Sequence, residues 1–175
     1  TLPLALLADG VPIEKVCVND VGRGFTSLKK IRPHVSVWWT SAGQSVQVLQ
    51  DKEVVYGASY NGRVFGKPDI DYTYKQGYLE LSWFGVPKGT SPQQKAEVMK
   101  FFHELTVAQN QVVFMNLLPY SGSSRNLDQL LPPEKRAMYP TTAGNAKLQF
   151  SAYAAKWQAV ASQAEKRWQQ FKLGM

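Results

Sequence analysis

The spacing of apolar positions alternates along the chain between a period near 3.6 and a period of 2, which predicts helices interleaved with strands. Residues 2–7 are an apolar run that stops at Ala8-Asp9-Gly10, a turn signal, and Pro12-Ile13-Glu14-Lys15-Val16 opens a new element. Phe25, Leu28 and Ile31 share one side of a short helix over 25–31, which Pro33 ends. Val35, Val37 and Trp39 alternate and predict a strand over 35–39. Trp38 and Trp39 then point to opposite faces, one to the core and the other free to line a cleft. Thr40 or Ser41 caps a following helix that carries Val46, Val48 and Leu49. Residues 54–60 and 78–87 read as two further strand-like runs, the first broken by Asn61-Gly62 and the second rich in aromatics. The strongest helix start is Ser91-Pro92-Gln93-Gln94, with Ser91 as N-cap, Pro92 in the first turn and Gln94 closing a capping box. Val98, Phe101, Phe102 and Leu105 follow at helical spacing, and a second helix over 111–118 runs to Pro119. Residues 120–126 form a Ser/Gly loop, and Pro132-Pro133 and Pro140 punctuate the next region. From about Leu148 to Phe171, Tyr153, Trp157, Val160, Ala164, Trp168 and Phe171 fall on one face of a core-packing helix. Strands mixed with helices define an α/β class.

Composition narrows this picture. The chain has 175 residues, 44% of them apolar and 19% charged, which excludes a disordered or fibrous polypeptide. No apolar run approaches the roughly 18 residues that span a bilayer. The single cysteine, Cys17, excludes an intramolecular disulfide and a Cys-rich metal site. Twenty Lys and Arg against 13 Asp and Glu leave a net charge of +7, compatible with an anionic partner or with plain solubility. The basic residues of the tail, Lys147, Lys156, Lys166, Arg167 and Lys172, are spread along an amphipathic pattern and read as a solvated helix face.

Catalytic signatures are weak. His34 and His103 are the two histidines, and no HExxH, paired-histidine or Cys/His spacing suits zinc. No GxSxG elbow is present, and Gly22-Arg23-Gly24 lacks the Lys-Ser/Thr of a phosphate-binding loop. Tyr120-Ser121-Gly122-Ser123-Ser124 is a polar loop, more simply a connection than an anion site. Neither a metal nor an organic cofactor is called for.

An ordered set of segments carries a resemblance. Pro33-His34-Val35-Ser36-Val37-Trp38-Trp39-Thr40-Ser41 is followed by a helix, then by Gln50-Asp51-Lys52-Glu53-Val54-Val55-Tyr56-Gly57-Ala58-Ser59-Tyr60-Asn61-Gly62-Arg63. Ser82-Trp83-Phe84-Gly85-Val86-Pro87-Lys88-Gly89, the Ser91-Pro92 helix and Leu118-Pro119-Tyr120 complete it. This order resembles the C-terminal half of periplasmic solute-binding proteins of ABC importers, of the spermidine/putrescine-binding type. The resemblance implies an α/β fold that is part of a two-lobe, type II periplasmic-binding-protein-like architecture, with the ligand held between lobes. It implies that residues 1–75 belong to the second lobe and that 76–175 supply a crossover strand and the helical part of the first, with the tail helices packed on it. It further implies periplasmic localisation, no enzymatic activity, a small-molecule solute, a permease in the inner membrane as partner, and a signal peptide and N-terminal half outside this chain. A half-protein leaves sheet edges and a lobe face uncovered, so pairing with the missing half or self-association is expected.

Position by position, the resemblance places Tyr60 where the family has an aromatic that packs on ligand methylenes, and Tyr120 where an aromatic closes the pocket. Arg63 and Ser82 stand where carboxylates receive the ammonium groups of a polyamine. Glu80, on the same strand face as Ser82, is placed to supply one carboxylate, and Thr40, Ser41 and Asn61 stand behind these groups. Arg63 repels a diamine and suits a carboxylate held by its planar fork, or else it pairs internally with Asp69 or Asp71. The solute is therefore polyamine-like or anionic and amino-acid-like. Two rivals come from other classes: a basic nucleic-acid-binding module, and a small hydrolase using Ser121, Ser123 or Ser124 with His103.

Overall fold

The computed structural model describes residues 2–16, 20–151 and 154–174, so Cys17 and Tyr153 lie outside the described residues. In chain order the α-helices are α1 (Leu2–Ala8), α2 (Val21–Ile31), α3 (Ala42–Gln50), α4 (Asn61–Val64), α5 (Pro92–Thr106), α6 (Ala108–Leu117), α7 (Leu127–Leu130), α8 (Ala143–Ala146) and α9 (Ala154–Lys172). Short 3-10 turns cover Ile13–Lys15, Arg32–His34 and Pro133–Met138. The chain divides into two compact units, one made of Thr1–Thr40, Gln76–Glu80 and Gln149–Met175, the other of Ser41–Lys75 and Leu81–Leu148.

The first unit is built on α1, α2 and α9. Asp20 caps α2, its carboxylate accepting from the Arg23 backbone N–H at 3.0 Å, so the helix starts four residues before the expected position. Gly24 on α2 lets Leu2 lie close, since a Cβ there would sit 2.9 Å from Leu2 Cδ2 and push that methyl aside. This close approach lets Leu2, Ala5, Val21, Phe25 and Leu28 form one buried cluster with Ala164 and Phe171 of α9. Trp38 is the core member of the tryptophan pair: its ring packs edge-on against Trp168 at 5.3 Å and Phe171 at 5.4 Å. The tail helix packs on α1 and α2, because its buried residues Ala164 and Phe171 match the apolar stripe there. Trp157, expected on that buried stripe, is 42% exposed. At the end of α1, the Asp9 carboxylate receives the Lys30 ammonium at 2.6 Å and the Arg23 guanidinium at 2.7 Å. These two cations hold the Asp9 carboxyl below its ordinary range, Lys30 contributing most.

In the second unit, Met115, Leu127, Leu131 and Tyr139 form a small core, flanked by Ala108 and Val112. The capping box of α5 forms as expected, with the Ser91 Oγ accepting from the Gln94 N–H at 3.3 Å. Yet no residue of α5 is buried, and Phe101 of its expected apolar face is more than half exposed. Local capping makes this helix start where it does, and its apolar stripe contributes nothing to the unit's own core.

The three expected strands are not formed. Among the described residues, the pairing in these regions is one isolated parallel bridge, Tyr78 with Phe150, made by Leu79 N–H to Phe150 O at 2.7 Å and Phe150 N–H to Gly77 O at 3.0 Å. Residues 35–39 and 54–60 join no ladder, and Val55 and Tyr56 are 83% and 91% exposed. Alternation prepares a segment for a pleat, but a strand exists only when a neighbour accepts its hydrogen bonds.

Two outcomes are expected from this packing. Phe171→Ala should lower the unfolding free energy by about 3–5 kcal/mol in urea titration, because it empties the aromatic centre of the first unit. The Asp9 contact carries its stabilisation above the ordinary aspartate value of 3.8 and loses it as pH falls through the depressed folded value. The melting-temperature difference between the wild-type chain and Asp9→Asn should therefore be full near about pH 5 and shrink steadily on acidification below about pH 4. A difference that stays constant would show that the carboxylate is not what holds α1 to α2.

Candidate ligand-binding site

The second unit brings together two stretches that lie far apart in sequence. Tyr60 takes the extended N-cap conformation (φ −79°, ψ 135°), and α4 then makes a single turn anchored by buried Val64. Arg63 projects from that turn into solvent, and its side chain makes no ion pair or hydrogen bond among the described residues; the internal pairs with Asp69 or Asp71 are not formed. Asn61 donates from Nδ2 to the Pro119 carbonyl at 2.7 Å, across 58 residues of chain. Next to it, the Tyr120 ring lies directly on Gly62. A Cβ at this glycine would come within 2.7 Å of Tyr120 Cε1 and closer still to Cζ, so only glycine permits the approach. Tyr60 and Tyr120 each keep over two-fifths of their surface open.

The loop carrying Tyr120 is pinned from behind. Gln111, buried in α6, donates from Nε2 to Leu105 O at 2.7 Å and to Ser123 Oγ at 3.3 Å, and its Oε1 accepts from Ser124 N–H at 2.9 Å. Thr141 adds a bond from its N–H to Ser121 Oγ at 3.1 Å and one from its hydroxyl to Gly122 O at 2.9 Å. Gln111 belongs to no sequence motif. Its one available signal is a polar position opening the apolar run Val112-Val113-Phe114-Met115. The same bonds bear on hydrolysis. Ser121, Ser123 and Ser124 all have oxygens that accept structural hydrogen bonds, the last from Asn126 N–H at 3.4 Å. None is bonded to His103, which is exposed on α5. No nucleophile–base pair exists at this loop among the described residues.

Behind α4, Tyr74 donates to Met138 O at 2.9 Å and Tyr139 donates to Met115 O at 3.1 Å, while Phe65 stacks on Tyr139. Burial first, and then the neighbouring Tyr72, raises both hydroxyls above the ordinary tyrosine range, so they remain proton donors. The other expected residues are placed differently. Ser41 caps α3, its Oγ accepting from Gln44 N–H at 3.2 Å. Ser82 is exposed in the irregular segment before α5 and is not hydrogen-bonded to Arg63 or to either tyrosine. Thr40 and Glu80 belong to the first unit, and both are exposed. No group of three or more His, Cys, Asp or Glu suited to a metal occurs among the described residues. None of their helices is long and apolar enough to cross a membrane.

Solved structures of substrate-binding proteins share this architecture. An ABC transporter substrate-binding protein from Bradyrhizobium japonicum superposes over 98% of this chain and 55% of its own, with a TM-score of 0.81 and 32% identity. The binding protein MotA of A. tumefaciens, solved in complex with glucopine, superposes over 94% of this chain and 54% of its own, with a TM-score of 0.76 and 28% identity. The helix-rich fold is thus part of a periplasmic-binding-protein-like architecture. The sequence profile of the bacterial extracellular solute-binding proteins matches residues 1–164, and the chain belongs to that family. A curated relative, the gamma-aminobutyric acid-binding protein of Pseudomonas aeruginosa, is 32% identical over 154 residues, which cover 83% of this chain and 43% of that protein. The chain spans about half the length of the relatives it matches. These likenesses support the solute-binding class and leave the expected spermidine/putrescine type unsupported.

The pinned loop makes a direct expectation. A Cβ at Gly122 would meet the buried Gln111 side chain at its Cδ (2.6 Å) and Cβ (2.9 Å). Gly122→Ala should cost about 1–3 kcal/mol in chemical denaturation, the range for overpacking a filled site. It should also speed amide exchange at Ser124. Unchanged exchange there would mean the loop is held by something other than Gln111.

Proposed function

We propose that this chain is part of the substrate-binding component of an ABC importer and that its second unit contributes the contacts for a small amino-acid-like solute bearing a carboxylate. The observation that carries this reading is Arg63, a guanidinium without a side-chain partner among the described residues, on the same one-turn helix whose Gly62 seats Tyr120. A planar fork on a turn that also seats an exposed aromatic ring suits a carboxylate followed by methylenes. A polyamine meets the opposite situation. Two like charges about 5 Å apart at an effective dielectric near 20 repel by about 3 kcal/mol. A carboxylate in the same place gains charged hydrogen bonds, each about 1.5–3 kcal/mol. The gamma-aminobutyric acid in the name of the Pseudomonas aeruginosa relative is a zwitterion with a carboxylate and agrees with the amino-acid-like alternative. Ser41 and Ser82, which belong to the second unit, enter as candidates for the rest of the solute on the resemblance alone. The family's extracellular placement supports the periplasm as the compartment and a membrane permease as the partner.

Calorimetry with gamma-aminobutyrate, glutamate, putrescine and spermidine tests this. The amino acids should bind and the amines should not, and Arg63→Ala should weaken amino-acid binding about 10- to 100-fold. Putrescine binding that survives Arg63→Ala would restore the polyamine reading. Steeply salt-dependent binding of an oligonucleotide, with no solute bound, would favour a nucleic-acid module instead.

A further inference from the structure

Asn61 follows directly on an expected ligand contact, and a polar side chain there is readily taken for another. Its geometry says otherwise. The amide is half-buried, one N–H of its Nδ2 donates to the Pro119 carbonyl, an acceptor that only a donor can satisfy, and the side chain also neighbours the Tyr74 hydroxyl. That bond fixes the residue immediately before Tyr120, while Gly62, immediately after Asn61, removes the atom that would keep the Tyr120 ring away. Two adjacent residues thus hold one ring in place, one by attraction and the other by vacancy. The ring is held to the same single turn of helix that carries Arg63, and buried Val64 anchors that turn from beneath.

We propose that Asn61 is a positioning residue. Through Pro119 it seats Tyr120 on Gly62, and so fixes the Tyr120 ring against the helical turn from which Arg63 projects. This rests on the reading of Arg63 and Tyr120 as ligand contacts, and it adds the means by which the site measures length. A carboxylate on Arg63 places a fixed number of methylenes against the ring. Solutes that differ by one methylene are therefore discriminated by how far the latch lets Tyr120 move.

Fluorotyrosine NMR on the whole chain reads the latch without any ligand. The Tyr120 signal, assigned by Tyr120→Phe, should be single and displaced from the free amino-acid position in the wild type. Asn61→Asp keeps the side-chain size but replaces the donor with a carboxylate facing a carbonyl. Gly62→Ala keeps the donor but fills the seat. Both should broaden the Tyr120 signal or return it toward the free position, and Arg63→Ala should not. Asn61→Ala gives the same readout without adding charge, should the aspartate variant unfold. An unmoved Tyr120 signal in Asn61→Asp and Asn61→Ala overturns the proposal. Abolished solute binding with that signal still unmoved also overturns it, and makes Asn61 a ligand contact. Binding of β-alanine, gamma-aminobutyrate and 5-aminovalerate supplies the second arm. The wild type should separate neighbours in this series by about tenfold or more, and Asn61→Asp should flatten the preference to within about threefold. If Tyr120 moves but no member of the series binds the wild type, the functional reading of Arg63 fails while the positioning role of Asn61 stands.

Discussion

The second unit depends on a close approach that only glycine allows. Tyr120 rests on Gly62 because that position has no Cβ, and the Asn61–Pro119 hydrogen bond keeps the two stretches in register. Everything proposed for the site depends on this contact. It brings the loop at Pro119 and Tyr120, 58 positions away, onto the helical turn from which Arg63 projects, unpaired among the described residues. Gln111 and Thr141 extend the constraint backward, so the polar loop of serines that looks free in sequence is tied at three residues.

The first unit is held differently. Its stability comes from stacked aromatic and aliphatic side chains, centred on Phe171 and sealed by Trp38 and Trp168. Cations cover the rim: Arg32 lies over the Phe171 ring at 5.7 Å and Arg167 over the Phe25 ring at 5.3 Å. Of the tail cations, Arg167 and Lys172 lie over aromatic rings of this unit, Lys172 over Trp168 at 5.9 Å.

Several helix boundaries were legible in the sequence from a cap or a turn residue, although the Asp20 cap that starts α2 four residues early was not among them. Ser91 with Gln94, Ser41 before α3 and Asp9-Gly10 after α1 all act where the pattern puts them. Strands were not. The alternation in 35–39 and 54–60 is real, but it describes one partner of a pairing and cannot supply the other. The stripe on α5 failed for a related reason: periodicity reports a face with apolar character, not what that face meets. For the site, Tyr60, Arg63 and Tyr120 could be nominated one by one from a familiar order of segments. Their being joined through Asn61 and Gly62 could not.

What the sequence determined by itself was local: where helices start and stop, which residues are too apolar to be loops, and which chemistry the composition excludes. These depend on interactions within a few residues of chain. Tertiary structure alone decided that the tail helix packs on α1 and α2, that Ser121 to Ser124 are structural, that Arg63 has no side-chain partner among the described residues, and that glycine at 62 makes room for a ring from 58 residues away. Each of these depends on which distant surfaces meet, and no local period or cap encodes that.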